Sequence, residues 1–139
     1  MSGKWLSIAG LMVAGFVLLS APSCARSQQL IAVTVMPQNV TITLTGVGQQ
    51  VSTQFTAYGN YVHPPETKDL TNTAVWATDS PSIITVNSTA PGLFTTTGEG
   101  CGTNLGITAS VYTDNNNPSG NVVVGTTTMN VSFGGTTCP

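Results

Sequence analysis

Charge is what this chain lacks most. Asp, Glu, Lys and Arg make up 6% of its 139 residues, and the formal net charge is −2. Three Lys plus Arg in all cannot neutralise a run of phosphates, which argues against nucleic acid as a partner. Histidine is nearly missing too: His63 stands alone. Once Cys24 is lipidated or lost with a leader, two Cys and one His cannot build a four-ligand zinc site, and a copper–zinc superoxide dismutase would need several His. No Gly-x-Ser-x-Gly elbow occurs, and no glycine-rich phosphate loop precedes a helix. The composition is also wrong for disorder, which calls for high net charge and few β-branched residues. What remains is 40% hydrophobic, interleaved with Thr, Ser, Asn, Gln and Gly, at a length that suits one domain.

The first 25 residues read as a targeting segment. Residues 1–4 carry a positive charge, residues 5–20 are almost wholly apolar, and Ala21-Pro22-Ser23-Cys24-Ala25 brings small residues and a breaker. Those are the parts of a secretory signal peptide, helical while it lasts. The apolar run is short of the roughly 20 residues a membrane-spanning helix needs. Two processing routes are open. Signal peptidase would cut after Ala25; alternatively Ser20-Ala21-Pro22-Ser23-Cys24 resembles a bacterial lipobox, which would make Cys24 the lipid-bearing residue. Either route removes Cys24 from the thiol count and leaves Cys101 and Cys138, expected as a disulfide in an exported chain.

Past residue 27 the period is two, not 3.6, so the expected class is all-β. Ile31, Val33 and Val35 alternate before Pro37; Val40, Ile42 and Leu44 alternate with threonines; Val51, Thr53, Phe55 and Ala57 form a further inward row. His63-Pro64-Pro65 breaks the pattern, a short strand centres on Trp76, and residues 83–86 and 92–97 supply two more. Leu105, Ile107, Ala109 and Val111 alternate; residues 114–120 form a loop; residues 122–133 make the last strand. Seven or eight strands with turns every ten residues or so predict an antiparallel β-sandwich, with threonines on the wet face. The expected layout is a lead-in at 26–32, a domain at 33–134 and a tail at 135–139. Phe55, Trp76 and Ile107 are the expected core, with Trp76 on a central strand. Pairing Thr113 with Val122 would set Cys101 opposite Gly134, from which a Gly-Gly reversal brings Cys138 back.

The order of these signals resembles the bacterial immunoglobulin-like domain of group 2, found in intimin- and invasin-type surface proteins. Val35-Met36-Pro37, Gly48-Gln49-Gln50-Val51 with Phe55-Thr56-Ala57, Asp69-Leu70-Thr71, Trp76 with Thr78-Asp79-Ser80, Ile84-Thr85-Val86, Gly92 and Ile107-Thr108-Ala109 carry it. The resemblance implies an immunoglobulin-like sandwich from about residue 33 to 133 and a surface role. The Cys pair, the His63-Pro64-Pro65 segment and the 114–120 loop are additions to that pattern.

Candidate chemistry is sparse. His63 has Glu66 and Asp69 near it in sequence but reads as part of a solvated loop. Glu66, Asp69, Asp79, Glu99 and Asp114 fall on separate loops, and a sandwich this small has no concave cleft by default. Asp114-Asn115-Asn116-Asn117 offers oxygen ligands for calcium but also suits a hairpin turn. Asn39, Asn87 and Asn130 begin glycosylation-type tripeptides. Tyr58 and Tyr61 are the candidate stacking platform for a sugar, with Tyr112 as the remaining tyrosine.

The expectation is therefore a non-enzymatic exported module, structural or adhesive, with no cofactor and no catalytic or metal site. It would lie at the cell surface or outer membrane, or be secreted or periplasmic. A protein or glycan is the expected partner, and membrane contact comes only through a lipid on Cys24. The alternative is a carbohydrate- or substrate-binding accessory protein of the envelope.

Overall fold

A computed structural model describes residues 27–113, 120–135 and 137–139. The leader, with Cys24, and the candidate calcium ligands of residues 114–117 lie outside the described residues. Within them the secondary structure is all β: β1 (Gln29–Met36), β2 (Val40–Leu44), β3 (Ser52–Gln54), β4 (Thr56–Val62), β5 (Glu66–Asp69), β6 (Val75–Thr78), β7 (Ile84–Val86), β8 (Leu93–Thr96), β9 (Gly102–Tyr112) and β10 (Val122–Phe133). The ten described strands exceed the seven or eight expected. A break at Phe55 splits one expected run, and the 66–69 segment pairs as a strand of its own.

Three sheets result, ordered β1-β4-β5, β2-β10-β9-β6 and β3-β8-β7. The expected antiparallel pairing holds everywhere except between β2 and β10, which run parallel with Met129 beside Val40 and Phe133 beside Leu44. Parallel neighbours need a long connection; here nearly the whole fold lies between them. After Met36-Pro37 the chain leaves β4 and joins β10 in another sheet. Phe55 is a second switch, with β3 before it beside β8 and β4 after it beside β1. Its amide N–H donates to the Gly92 carbonyl at 2.8 Å. Gly92 has φ +78°, a conformation glycine adopts without steric cost.

Inward residues of all three sheets meet in one core, a sandwich-like arrangement. Phe55, Phe94, Leu44, Ile84, Ile107 and Met129 are its largest fully buried side chains. Period two accounts for most of it: in β2, Ile42 and Leu44 are buried while Thr41 and Thr43 are exposed. Two threonines depart from the wet face. Thr96 and Thr127 are buried, and each is satisfied by backbone. Thr96 Oγ1 accepts from the Val51 N–H at 2.9 Å, and Thr127 Oγ1 donates to the Pro37 carbonyl at 3.3 Å.

Four expectations need correction. The lead-in at 26–32 is mostly strand, because β1 already pairs Gln29 with Val62. A bulge between Leu30 and Ala32 turns Leu30 inward and leaves Ile31 56% exposed, so the row Ile31, Val33, Val35 is broken at its first member. Trp76 is on β6, an edge strand, and is half-buried. Its ring meets Phe94 edge-on at 5.9 Å, and Phe94 meets Phe55 at 5.5 Å, so Phe94 occupies the central place foreseen for Trp76. Finally, β9 and β10 pair one residue off the expected register, Tyr112 with Val122, and an irregularity near Met129 brings Gly102 beside Val131. The reversal from β10 is correspondingly longer, yet Cys101 and Cys138 are bonded, with Cα atoms 5.8 Å apart.

Candidate functional site

Of the five carboxylates, three are tied to backbone or to a lysine. Asp69 accepts from the Thr71 amide at 2.8 Å in the turn after β5. Bonding from the Thr71 side chain and then from its backbone holds the Asp69 carboxyl below its usual range. Asp79, just after β6, accepts from the Gly106 N–H and the Ser80 hydroxyl, each at 2.8 Å, and so fastens the end of β6 to β9. Gly106 has no side chain for good reason: an added Cβ would stand 2.6 Å from Asp79 Oδ2. Glu66 belongs to a small network. It accepts from Gln28 Nε2 at 2.8 Å and pairs with Lys68 at 3.2 Å, while Lys68 donates to Gln28 Oε1 at 2.7 Å. The Gln28 bond, then the Lys68 bond, lowers the Glu66 pKa. Lys68 also sits 5.0 Å from the centre of the Tyr61 ring. The network ties the start of β1 to β5 across β4. Glu99 is exposed, and Asp114 lies outside the described residues.

The three candidate glycosylation asparagines are likewise engaged. Asn39 Oδ1 accepts from Thr128, Asn87 Oδ1 accepts from Thr89 and Ala90, and Asn130 Oδ1 accepts from the Asn104 amide. Among the described residues no group of three or more His, Cys, Asp or Glu could hold a metal ion, and no helix is long and apolar enough to cross a membrane.

The tyrosines fall differently from the expected platform. Residues three apart on a strand face opposite ways. Gly59 and Tyr61 follow Ala57 on the inward side of β4, whereas Tyr58 faces out and is 39% exposed. Tyr58 and Tyr61 therefore share no surface. Tyr61 instead joins Tyr112 and His63 around a cleft of about 800 Å³ at one end of the sheets. The start of β1, the turn after β4, the turn before β6 and the end of β9 converge there. Leu30, Leu70 and Val111 form its apolar part and belong to the core or pack against it. Gln29, Thr73 and Thr113 add an amide and two hydroxyls. This cleft corrects the expectation of a surface without concavity. His63 is exposed, as a loop residue would be, with φ +60°, an uncommon backbone state for a bulky side chain.

The sequence gives no hint that His63 and Tyr112, 49 positions apart, share a cleft. β1 pairs with β4 and packs against β9 of the neighbouring sheet, which brings their ends together. No family model matches the chain, and no curated protein matches it. The functional reading rests on this geometry.

Proposed function

We propose that the chain is an exported, non-enzymatic module with an immunoglobulin-like sandwich, acting as a structural or adhesive unit of the cell surface. The observation that carries this reading is the use of the acidic groups. Asp69 and Asp79 are spent on fixing turns and strand ends, and Glu66 on fastening β1 to β5, so these three carboxylates serve the scaffold. Turnover by acid–base chemistry would want a carboxylate aimed at a substrate within hydrogen-bond reach. The split first strand, with β1 beside β4 and β2 parallel to β10, suits an immunoglobulin-like sandwich, and the Cys101–Cys138 bond suits an oxidising compartment.

Cell fractionation tests the reading. Antibody should label the protein on intact cells, and maleimide should fail to alkylate Cys101 and Cys138 until a reductant is added. If Cys24 carries lipid, Cys24→Ser moves the protein from the membrane to the soluble exported fraction. Retention in the cytoplasm with both thiols free would overturn the proposal.

A further inference from the structure

We infer that the cleft at the β1 and β9 ends binds a neutral saccharide, which would give the module its adhesive contact. The inference rests on the adhesive form of the reading above and assigns that function to a place.

Size comes first. About 800 Å³ is within the range of sites that enclose small organic ligands, and it is ample for two or three sugar rings. Charge comes second. Asp, Glu, Lys and Arg are missing from the described residues around the cleft; Glu66 and Lys68 neutralise each other nearby, outside it. From the described lining residues an anionic or cationic ligand would gain no counter-charge for the hydration it loses. A neutral ligand has no such cost.

The chemistry of the lining then narrows the class. Tyr112, 41% exposed, offers a ring face that suits the C–H face of a pyranose, and Tyr61, with Lys68 over its ring, adds its phenol and ring edge to the lining. Both phenols, the His63 imidazole and the Gln29 amide can each donate and accept, while the Thr73 and Thr113 hydroxyls, which donate to the Leu70 and Asn121 carbonyls, are left to accept. That mixture matches a polyhydroxylated molecule, whose own hydroxyls also do both. A purely apolar ligand would strand these groups unpaired. Gln28, at the same mouth, is committed to Glu66 and Lys68 and so stiffens the site without spending its amide on the ligand.

The test uses the purified protein on an array of neutral and acidic glycans, with maltotriose, cellotriose and chitotriose titrated in solution by ligand-observed NMR. Neutral glycans should bind, and Tyr112→Ala should weaken the best of them at least tenfold. Tyr58→Ala, on the opposite side of β4, should leave binding unchanged. Since Tyr61 also packs against the core, Tyr61→Phe replaces truncation there and should reduce affinity while the melting temperature holds. No binding to any neutral glycan, preference for acidic ones, or binding indifferent to Tyr112→Ala would each overturn the inference. Such failures leave surface labelling and thiol protection untouched, so a failed cleft is distinguishable from a failed surface assignment.

Discussion

Replacing Phe94 should cost more than replacing the chain's largest core candidate, Trp76. Phe94 has no exposed surface and stands between two aromatic rings, Phe55 at 5.5 Å and Trp76 at 5.9 Å, both edge-on. Truncation of a fully buried aromatic typically costs about 3–5 kcal/mol, and two lost ring contacts put Phe94→Ala near the upper end. Trp76 is half-buried, and its indole N–H donates to the Thr71 carbonyl at 3.0 Å. Part of its ring is already in water, so Trp76→Ala should lose about 2 kcal/mol of packing and about 1 kcal/mol for the hydrogen bond. In a domain of this size each kcal/mol is roughly 4 °C in melting temperature, which separates the two variants by several degrees. Urea titration followed by circular dichroism gives both values. Total stability of such a domain is only about 5–15 kcal/mol, so Phe94→Ala can fall below the folding threshold. Phe94→Leu, expected to cost about 1–2 kcal/mol, then serves in its place. A double-mutant cycle should return a Phe94–Trp76 coupling of about 0.5–1.5 kcal/mol. Equal losses from the two alanine variants, or no coupling, would refute the placement of Phe94 at the centre.

Other outcomes follow from single contacts. An added Cβ at Gly125 would lie 2.6 Å from the Val33 carbonyl oxygen, where β1 crosses β10. Gly125→Val should therefore destabilise by roughly 2–3 kcal/mol, and a melting curve matching the parent's would deny that approach. Opening the Cys101–Cys138 bond, which closes a loop with a sequence separation of 37, should cost roughly 4 kcal/mol in the chain-entropy model. Thermal melts with and without reductant read this directly. Glu66 and Asp69 titrate below their usual values of 4.5 and 3.8 in the folded state. Their stabilising bonds are intact above those values and are lost as pH falls through the lowered ones. Melting temperature should thus decline below about pH 4.5, and Glu66→Gln should flatten part of that decline. A Glu66→Gln curve parallel to the parent's down to pH 3 would show that the Gln28 and Lys68 bonds contribute nothing.

How much of this was legible in the sequence depends on how far apart the interacting residues are. Within one strand, alternation is a local property, so Ile42 and Leu44, or Ile107 and Ala109, are readable as inward without any knowledge of partners. The pattern fails where one extra residue enters: the bulge after Leu30 reverses the facing of Ile31, and a bulge leaves no mark in a run of β-branched residues. It fails again for Trp76, because strand order is a non-local fact. Size and composition mark the residue as core, but only the sheet order β2-β10-β9-β6 puts it at an edge. The separation of Tyr58 from Tyr61, by contrast, was available from the odd spacing alone. The cleft lies at the far extreme. Its apolar part is Leu30, Val111 and Leu70, from β1, from β9 and from the turn after β5, and its polar part comes from three different turns and strand ends. Each residue has an ordinary local reason to be where it is: the bulge aims Leu30, alternation aims Val111, and the prolines after His63 keep the β4–β5 connection out of the sheet. A concavity appears only because those local decisions are made at the same end of the molecule. Function of this kind is written in where strands end, and the sequence records that much less clearly than it records which way their side chains face.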